Sequence, residues 1–167
     1  LAACAAAVTG SRVLLVDANM AGPVLHHAFR LKASPGLANL LSGDADLVSC
    51  VQSSQAANLF VITAGIAVRR WLRWSGRRRP AELLEEMERE FSLIVVDLPP
   101  VAESRKSPRL ATLLDTVLLV IEAGRTRASD AQHAQDLLMS AGVHVGGVVV
   151  NEDRRPVSYR PHGNGRH

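Results

Sequence analysis

Five short apolar runs, each bounded by turn residues or charged residues, recur along the chain. Their length and their β-branched content are typical of strands buried in a parallel sheet. The first and third runs end in aspartate, and the last ends in asparagine. We therefore predict strands over 12–17, 58–65, 92–100, 115–124 and 143–151.

The segments between these runs carry the spacing and the end signals of helices. Gly10 suits the position just after a first helix, Asp44 or Asp46 is the candidate cap of a third, and Ser129 caps the last. Pro80 suits the first turn of the helix that it opens. The predicted helices cover 1–8, 34–43, 44–52, the segment from 80 onward, 108–114 and 129–142.

Strands that alternate with helices predict right-handed βαβ units. The fold class is therefore α/β, with a doubly wound, mostly parallel sheet and helices on both faces. Ligands of such sheets bind beyond the carboxyl ends of the strands. We expect Asp17, Asp97 and Asn151, each of which closes a strand, to lie along that edge.

The composition is that of a folded domain. Of the 167 residues, 47% are hydrophobic and 21% are charged, which excludes disorder along most of the chain. Every apolar run is far shorter than the roughly 20 residues of a membrane-spanning helix. The two cysteines form neither a disulfide framework nor a paired metal-ligand motif, and we expect a cytoplasmic location.

The formal net charge of +3 is unevenly distributed. An Arg/Trp segment within residues 69–79 contains no acidic residue. One interpretation is a solvated loop that pairs with the acidic residues 82–90, and the other is a partner surface, because arginine and aromatic side chains stack on bases or lie at anionic lipid. The segment consists of Arg69, Arg70, Trp71, Arg73, Trp74, Arg77, Arg78 and Arg79.

Asp17 and Asp97 are the candidate catalytic and metal-binding residues. Carboxylates at the ends of two strands can hold a hydrated Mg²⁺ that a nucleotide phosphate also binds. The alternative is that each acid only marks the point where the chain leaves the core.

Five segments of the sequence, taken in order, resemble a known family. VLLVDANMAGP, SPGLANLLSGDADL, LFVITAG, the stretch from RRPAELL to VVDLPPV, and DTVLLVIEAG through VGGVVVN follow one another along the chain. In this order they resemble the cytoplasmic bacterial tyrosine kinases of capsule and exopolysaccharide export, which are MinD/ParA-like P-loop ATPases. The resemblance implies an N-terminally incomplete ATPase-like domain over 1–151 and a flexible tail over 152–167. It also implies ATP and Mg²⁺ as cofactors, phosphate transfer to tyrosine, and regulation of polysaccharide polymerisation and export.

The same resemblance assigns roles to single residues. Asp17 matches an aspartate that contacts the Mg²⁺ shell and helps to accept the proton of the attacking hydroxyl. Asp97 matches the Walker B aspartate, a second-shell ligand of Mg²⁺. Asn151 matches the asparagine that reads adenine, and Asn19 stands at a cofactor-binding position where the family has a second aspartate.

Other positions depart from the family pattern. The sequence contains no G-x-x-x-x-G-K-[ST] loop, which would precede the first helix and hold the phosphates. Truncation of a P-loop protein and degeneration into a binding module both explain this absence, and we expect impaired or absent kinase activity. Tyr159 is the single tyrosine, where the family has a cluster, and is either a phosphoacceptor or an ordinary tail residue.

The resemblance also implies partners. It places the domain at the inner membrane through a membrane polysaccharide co-polymerase or its cytoplasmic tail, with a homo-oligomer as a further expectation. The alternative function is a non-catalytic docking module that binds a membrane partner or an acidic polymer through the Arg/Trp segment. Nucleic acid is the second candidate for that surface, because ParA-like relatives bind DNA through basic patches.

Overall fold

The computed structural model describes residues 1–65, 79–101 and 107–151. The chain divides into two compact units, Leu1–Leu113 and Leu114–His167. No helix within the described ranges is long and apolar enough to cross a bilayer. The first unit contains α1 (Ala2–Thr9), β1 (Val13–Asp17), α2 (Leu25–Ala28), α3 (Leu37–Ser42), α4 (Leu47–Cys50), β2 (Val51–Ser53), β3 (Leu59–Ile62), α5 (Pro80–Glu88), β4 (Leu93–Asp97) and α6 (Ser107–Ala111). The second contains β5 (Val117–Glu122), α7 (Ala128–Ser140) and β6 (Val145–Asn151).

The strands form two sheets that are mostly parallel, as predicted. In the first unit the order is β2-β3-β1-β4, with β1 parallel to both of its neighbours and β2 antiparallel to β3. In the second unit β5 pairs with β6 in parallel. The predicted α/β fold class is therefore confirmed.

Strand β1 is the centre of the first unit, and all five of its residues are buried. Successive side chains of a strand point to opposite faces of the sheet. Leu14 and Val16 accordingly join a core with residues of α3 and α5, whereas Val13 and Leu15 join a second core with α1. Helices thus cover both faces of this sheet, as the sequence predicts.

The ends of the elements follow several of the predicted signals. Gly10, with φ of 65°, ends α1, and Pro80 is the first residue of α5. Of the two candidate caps of α4, Asp46 is the one that the structure uses, since its side chain accepts a hydrogen bond from the Ser49 amide.

Two predicted helices are wrong at one end. The helix predicted over 44–52 stops at Cys50, because residues 51–53 pair with β3 as strand β2. The Gln52 side chain also pairs with the backbone of Lys32, through Lys32 N–H to Oε1 (3.0 Å) and Nε2 to Lys32 O (2.9 Å). Ser129 lies inside α7 rather than at its cap, since Arg127 already has the extended backbone of a cap, with φ of −71° and ψ of 146°.

Candidate functional site

Asp17 and Asp97 end adjacent parallel strands. They are register partners in the pairing of β1 with β4. The backbone hydrogen bonding between the two strands extends one residue further, where Ala18 N–H donates to Asp97 O (2.9 Å). Asp17 is fully buried, and Asp97 is partly buried. The structure therefore brings together two of the three residues that the sequence places at the carboxyl edge.

The two carboxylates repel each other. Burial, and then the negative charge of Asp17, raise the pKa of the Asp97 carboxyl above its ordinary value of 3.8. A cation between the two groups would relieve this repulsion, and carboxylate oxygens are the ligands that Mg²⁺ prefers. Across 1–65, 79–101 and 107–151 no group of three or more His, Cys, Asp or Glu side chains forms a metal cluster, so the site is a two-carboxylate arrangement.

Burial of Asp97, together with this repulsion, predicts a pH-dependent effect of Asp97→Asn. Because the folded-state pKa of Asp97 is raised, its contribution to stability is full below pH 3.8 and is lost as the pH rises through the folded-state value. Replacing the carboxylate with a neutral amide removes this loss. We expect the free energy of unfolding of the variant, relative to the parent chain, to be higher at pH 7 than at pH 3, as measured by urea denaturation.

Asp46→Asn is the matched control with the opposite sign. Hydrogen bonds from Ser49 lower the pKa of Asp46, so its contribution is present at neutral pH and is lost as the pH falls through the lowered folded-state value. This variant should be less stable than the parent at pH 7 and approach it at pH 3. If Asp97→Asn followed the same direction as Asp46→Asn, the raised pKa of Asp97, caused by burial and by the charge of Asp17, would be wrong.

The loop after β1 is organised by Asp17. Oδ1 of Asp17 accepts a hydrogen bond from the Asn19 amide (3.1 Å), and Oδ2 accepts one from the Leu25 amide (3.2 Å). The amide of Gly22 in turn donates to Asn19 O (3.2 Å) and to Asn19 Oδ1 (3.3 Å). Asn19 is thus held in a turn that starts at the carboxylate pair.

Sequence reasoning placed a turn at residues 20–22 but missed the hydrogen bonds of Asp17 to the loop and the short helix α2 that follows it. A signal is nevertheless present, because Asp and Asn side chains commonly accept hydrogen bonds from amides two residues further on. Asp17 with Asn19 fits that pattern. The bond from Asp17 to Leu25, eight residues away, has no comparable local signature.

Asn151 lies in the second unit. It is the last residue of β6 and is exposed, and it is the register partner of Glu122 in β5. Its carbonyl oxygen accepts a hydrogen bond from the Ala123 amide (2.9 Å). Binding of adenine by Asn151 remains a prediction.

Arg79 is the member of the Arg/Trp segment that the structure describes. Its Nε lies 4.0 Å from Oε1 of Glu82 in an exposed pair, and such pairs contribute little to stability. Tyr159 lies outside the described residues, as do the other members of the segment: Arg69, Arg70, Trp71, Arg73, Trp74, Arg77 and Arg78.

A close backbone junction lies at the carboxyl end of β3. The amides of Leu37 and Ala38 donate to the carbonyls of Thr63 (2.8 Å) and Ala64 (2.9 Å). Gly36 lies so close to this segment that a Cβ atom there would be 2.3 Å from Thr63 O. This junction fixes the start of α3 against the same sheet that presents the two aspartates.

Comparison with known proteins gives a consistent group of relatives. No family model matches the chain. EpsB of Ralstonia nicotianae is 32% identical over 145 residues, which are 87% of this chain and 19% of EpsB. The tyrosine-protein kinase YwqD of Bacillus subtilis is 28% identical over 142 residues, which are 85% of this chain and 60% of YwqD. The chain thus spans less than two thirds of the length of either relative.

Solved structures of kinase domains and of MinD are similar to this chain in fold. The kinase domain of VpsO matches with 30% identity and a TM-score of 0.81, over 90% of this chain and 74% of the solved domain. The kinase domain of the Escherichia coli tyrosine kinase Etk matches with 26% identity and a TM-score of 0.84, over 95% of this chain and 63% of the solved domain. MinD of Pyrococcus horikoshii, solved with Mg-ADP, shares the fold at 19% identity and a TM-score of 0.72, over 89% of this chain and 61% of MinD.

Proposed function

Since this chain belongs to the family of bacterial tyrosine kinases, we propose that it is an ATP-binding, tyrosine-kinase-like domain that regulates capsule or exopolysaccharide polymerisation and export. The observation that carries this proposal is the adjacent pair Asp17 and Asp97 at the carboxyl end of β1 and β4. This is the edge of an open α/β sheet where ligands bind.

The residues at this edge fit a magnesium ion. Asp17 and Asp97 offer oxygen ligands. Burial, and then the negative charge of Asp17, raise the pKa of Asp97, and a cation would neutralise that charge. A bound Mg²⁺ supplies charge neutralisation at the phosphate oxygens of a nucleotide. Asn19 would contribute hydrogen bonds to that shell without a charge.

The sequence contains no G-x-x-x-x-G-K-[ST] motif to hold the phosphates of the nucleotide. Phosphoryl transfer depends on positioning and electrostatic stabilisation, which a P-loop lysine and backbone amides supply in other ATPases. We therefore propose that the chain as given transfers phosphate poorly or not at all. Its partner would be a membrane polysaccharide co-polymerase at the inner membrane or a second copy of the chain, and Tyr159 would be the candidate phosphoacceptor.

Calorimetric titration with ADP tests this function. We expect binding in the presence of Mg²⁺, no binding with EDTA, and at least about a tenfold loss of affinity in Asp97→Ala, because the lost carboxylate weakens the metal site. Asp130→Ala, which removes an exposed aspartate in α7, is the control and should bind like the parent chain. Binding that is equally strong in EDTA would contradict the proposal.

A second candidate function is the non-catalytic docking module. The composition of the Arg/Trp segment favours it, with six arginines and two tryptophans in residues 69–79. Binding to an acidic polymer or to anionic vesicles would then be indifferent to nucleotide. It would also fall steeply with added salt, since the contact is electrostatic.

A further inference from the structure

We propose that Asp17 is a positioning residue whose carboxylate holds the loop of residues 18–25 in shape, so that Asn19 is fixed beside the carboxylate pair. This inference rests on the proposed function, because the position of Asn19 matters for function only if nucleotide and metal bind at this edge. It assigns to Asp17 a role through Asn19, in addition to any direct contact with a metal shell.

The hydrogen bonds of Asp17 carry the inference. The carboxylate is fully buried at the end of the central strand, and each of its oxygens accepts one amide hydrogen bond from the loop. One bond is to Asn19, at 3.1 Å, and the other is to Leu25, at 3.2 Å, so the side chain holds both ends of the loop. Hydrogen bonds to a buried carboxylate are among the stronger ones in proteins.

The loop of residues 18–25 contains no charged side chain that could fix its shape. Residues 18–25 read ANMAGPVL and contain no ionisable side chain, so an ion pair within the loop cannot fix its shape. Leu25 is the first residue of α2, and Val24 before it provides no side-chain hydrogen bond to the helix end. Asp17 therefore satisfies a helix-end amide that the local sequence leaves open.

Asp17 and Asp97 therefore have different roles in the proposed site. Burial, and then the charge of Asp17, raise the pKa of Asp97. Both oxygens of Asp17, in contrast, already accept hydrogen bonds from backbone amides. A carboxylate oxygen has a second lone pair, so a metal-bound water can still donate to Asp17. The positioning role and a metal contact are compatible.

Amide hydrogen exchange, measured by NMR on the full chain without metal or nucleotide, tests the inference. In Asp17→Ala the amides of Asn19 and Leu25 should exchange at least about tenfold faster, because both lose a charge-assisted hydrogen bond. Asp17→Asn keeps one acceptor oxygen and should restore protection at one of the two amides. Asp97→Ala, on the neighbouring strand, should leave both amides as protected as in the parent chain.

The outcomes separate this inference from the proposed function. Unchanged protection of Asn19 and Leu25 in Asp17→Ala would overturn the inference, as would a uniform rise in exchange throughout β1 and β4. If Asp17→Ala fails to fold, Asp17→Asn decides: selective loss at one of the two amides supports the inference, and no selective loss overturns it. A parent chain that binds no Mg²⁺ and ADP contradicts the proposed function but leaves the exchange result intact.

Discussion

Replacing Gly36 with alanine is expected to lower the free energy of unfolding by about 3 kcal/mol, the upper end of the usual cost of overpacking. The reason is space rather than backbone conformation, because Gly36 has an extended φ of −158° that any residue adopts. A Cβ atom at this position would lie 2.3 Å from Thr63 O, 2.4 Å from Gly65 N and 2.7 Å from Gly65 Cα. All three are backbone atoms, so the junction between residues 36–38 and β3 must open to accept the methyl group. Urea denaturation measures the change.

Gly22→Ala is the matched control for that substitution. The nearest atom to a Cβ atom at Gly22 is Asn19 Nδ2, at 3.8 Å, which is an ordinary contact distance. The same chemical change should therefore alter the free energy of unfolding by less than about 1 kcal/mol. If Gly36→Ala and Gly22→Ala changed the free energy of unfolding equally, the close approach of Gly36 to residues 63–65, which follow β3, would be contradicted.

Leu14→Ala is expected to have the second large effect, a loss of about 2–5 kcal/mol. Leu14 is fully buried in the middle of β1, where it packs with residues of α3 and α5. Truncation removes apolar contacts and leaves a cavity that a central strand, hydrogen-bonded on both sides, cannot close by moving. The midpoint of urea unfolding should fall accordingly.

Leu93→Ala provides the comparison for the same chemical change. Leu93 starts the neighbouring strand β4 and is 42% exposed, so we expect a loss of about 1 kcal/mol or less. A loss at Leu93 as large as that at Leu14 would contradict the assignment of β1 as the buried centre of the first unit.

Short-range pattern predicts much of this fold. The apolar runs at 12–17 and 92–100 contain β1 and β4, because β-branched apolar runs are typical of parallel strands. The aspartates that close these two runs then meet, since parallel strands end at the same edge of a sheet.

Longer-range contacts decide the features that sequence reasoning missed. Residues 51–53 belong to a strand because β3 offers them a partner, although the local sequence continues a helical pattern. The bond from Asp17 to Leu25 also joins residues that no local periodicity relates. In both cases a tertiary hydrogen bond outweighs local propensity.

The departure at Asn19 is consistent with the geometry of the loop. At Asn19, where the resemblance implies a second aspartate, the side-chain oxygen accepts a hydrogen bond from the Gly22 amide, at 3.3 Å. Within the described residues of β1, β4 and the loop 18–25, the acidic side chains are therefore those of Asp17 and Asp97. We therefore expect the affinity for a divalent cation to depend mainly on Asp17 and Asp97.

Asp17 and Asp97 form the proposed cation site at the carboxyl edge of the first sheet. The most direct test of this site is paramagnetic broadening of backbone amide resonances by Mn²⁺ in the presence of ADP. We expect broadening that centres on Ala18, next to the two aspartates, and that disappears in Asp97→Ala. Broadening that instead centres on Asp44 and Asp46, the acidic residues of a separate open pocket beside α4, would contradict it.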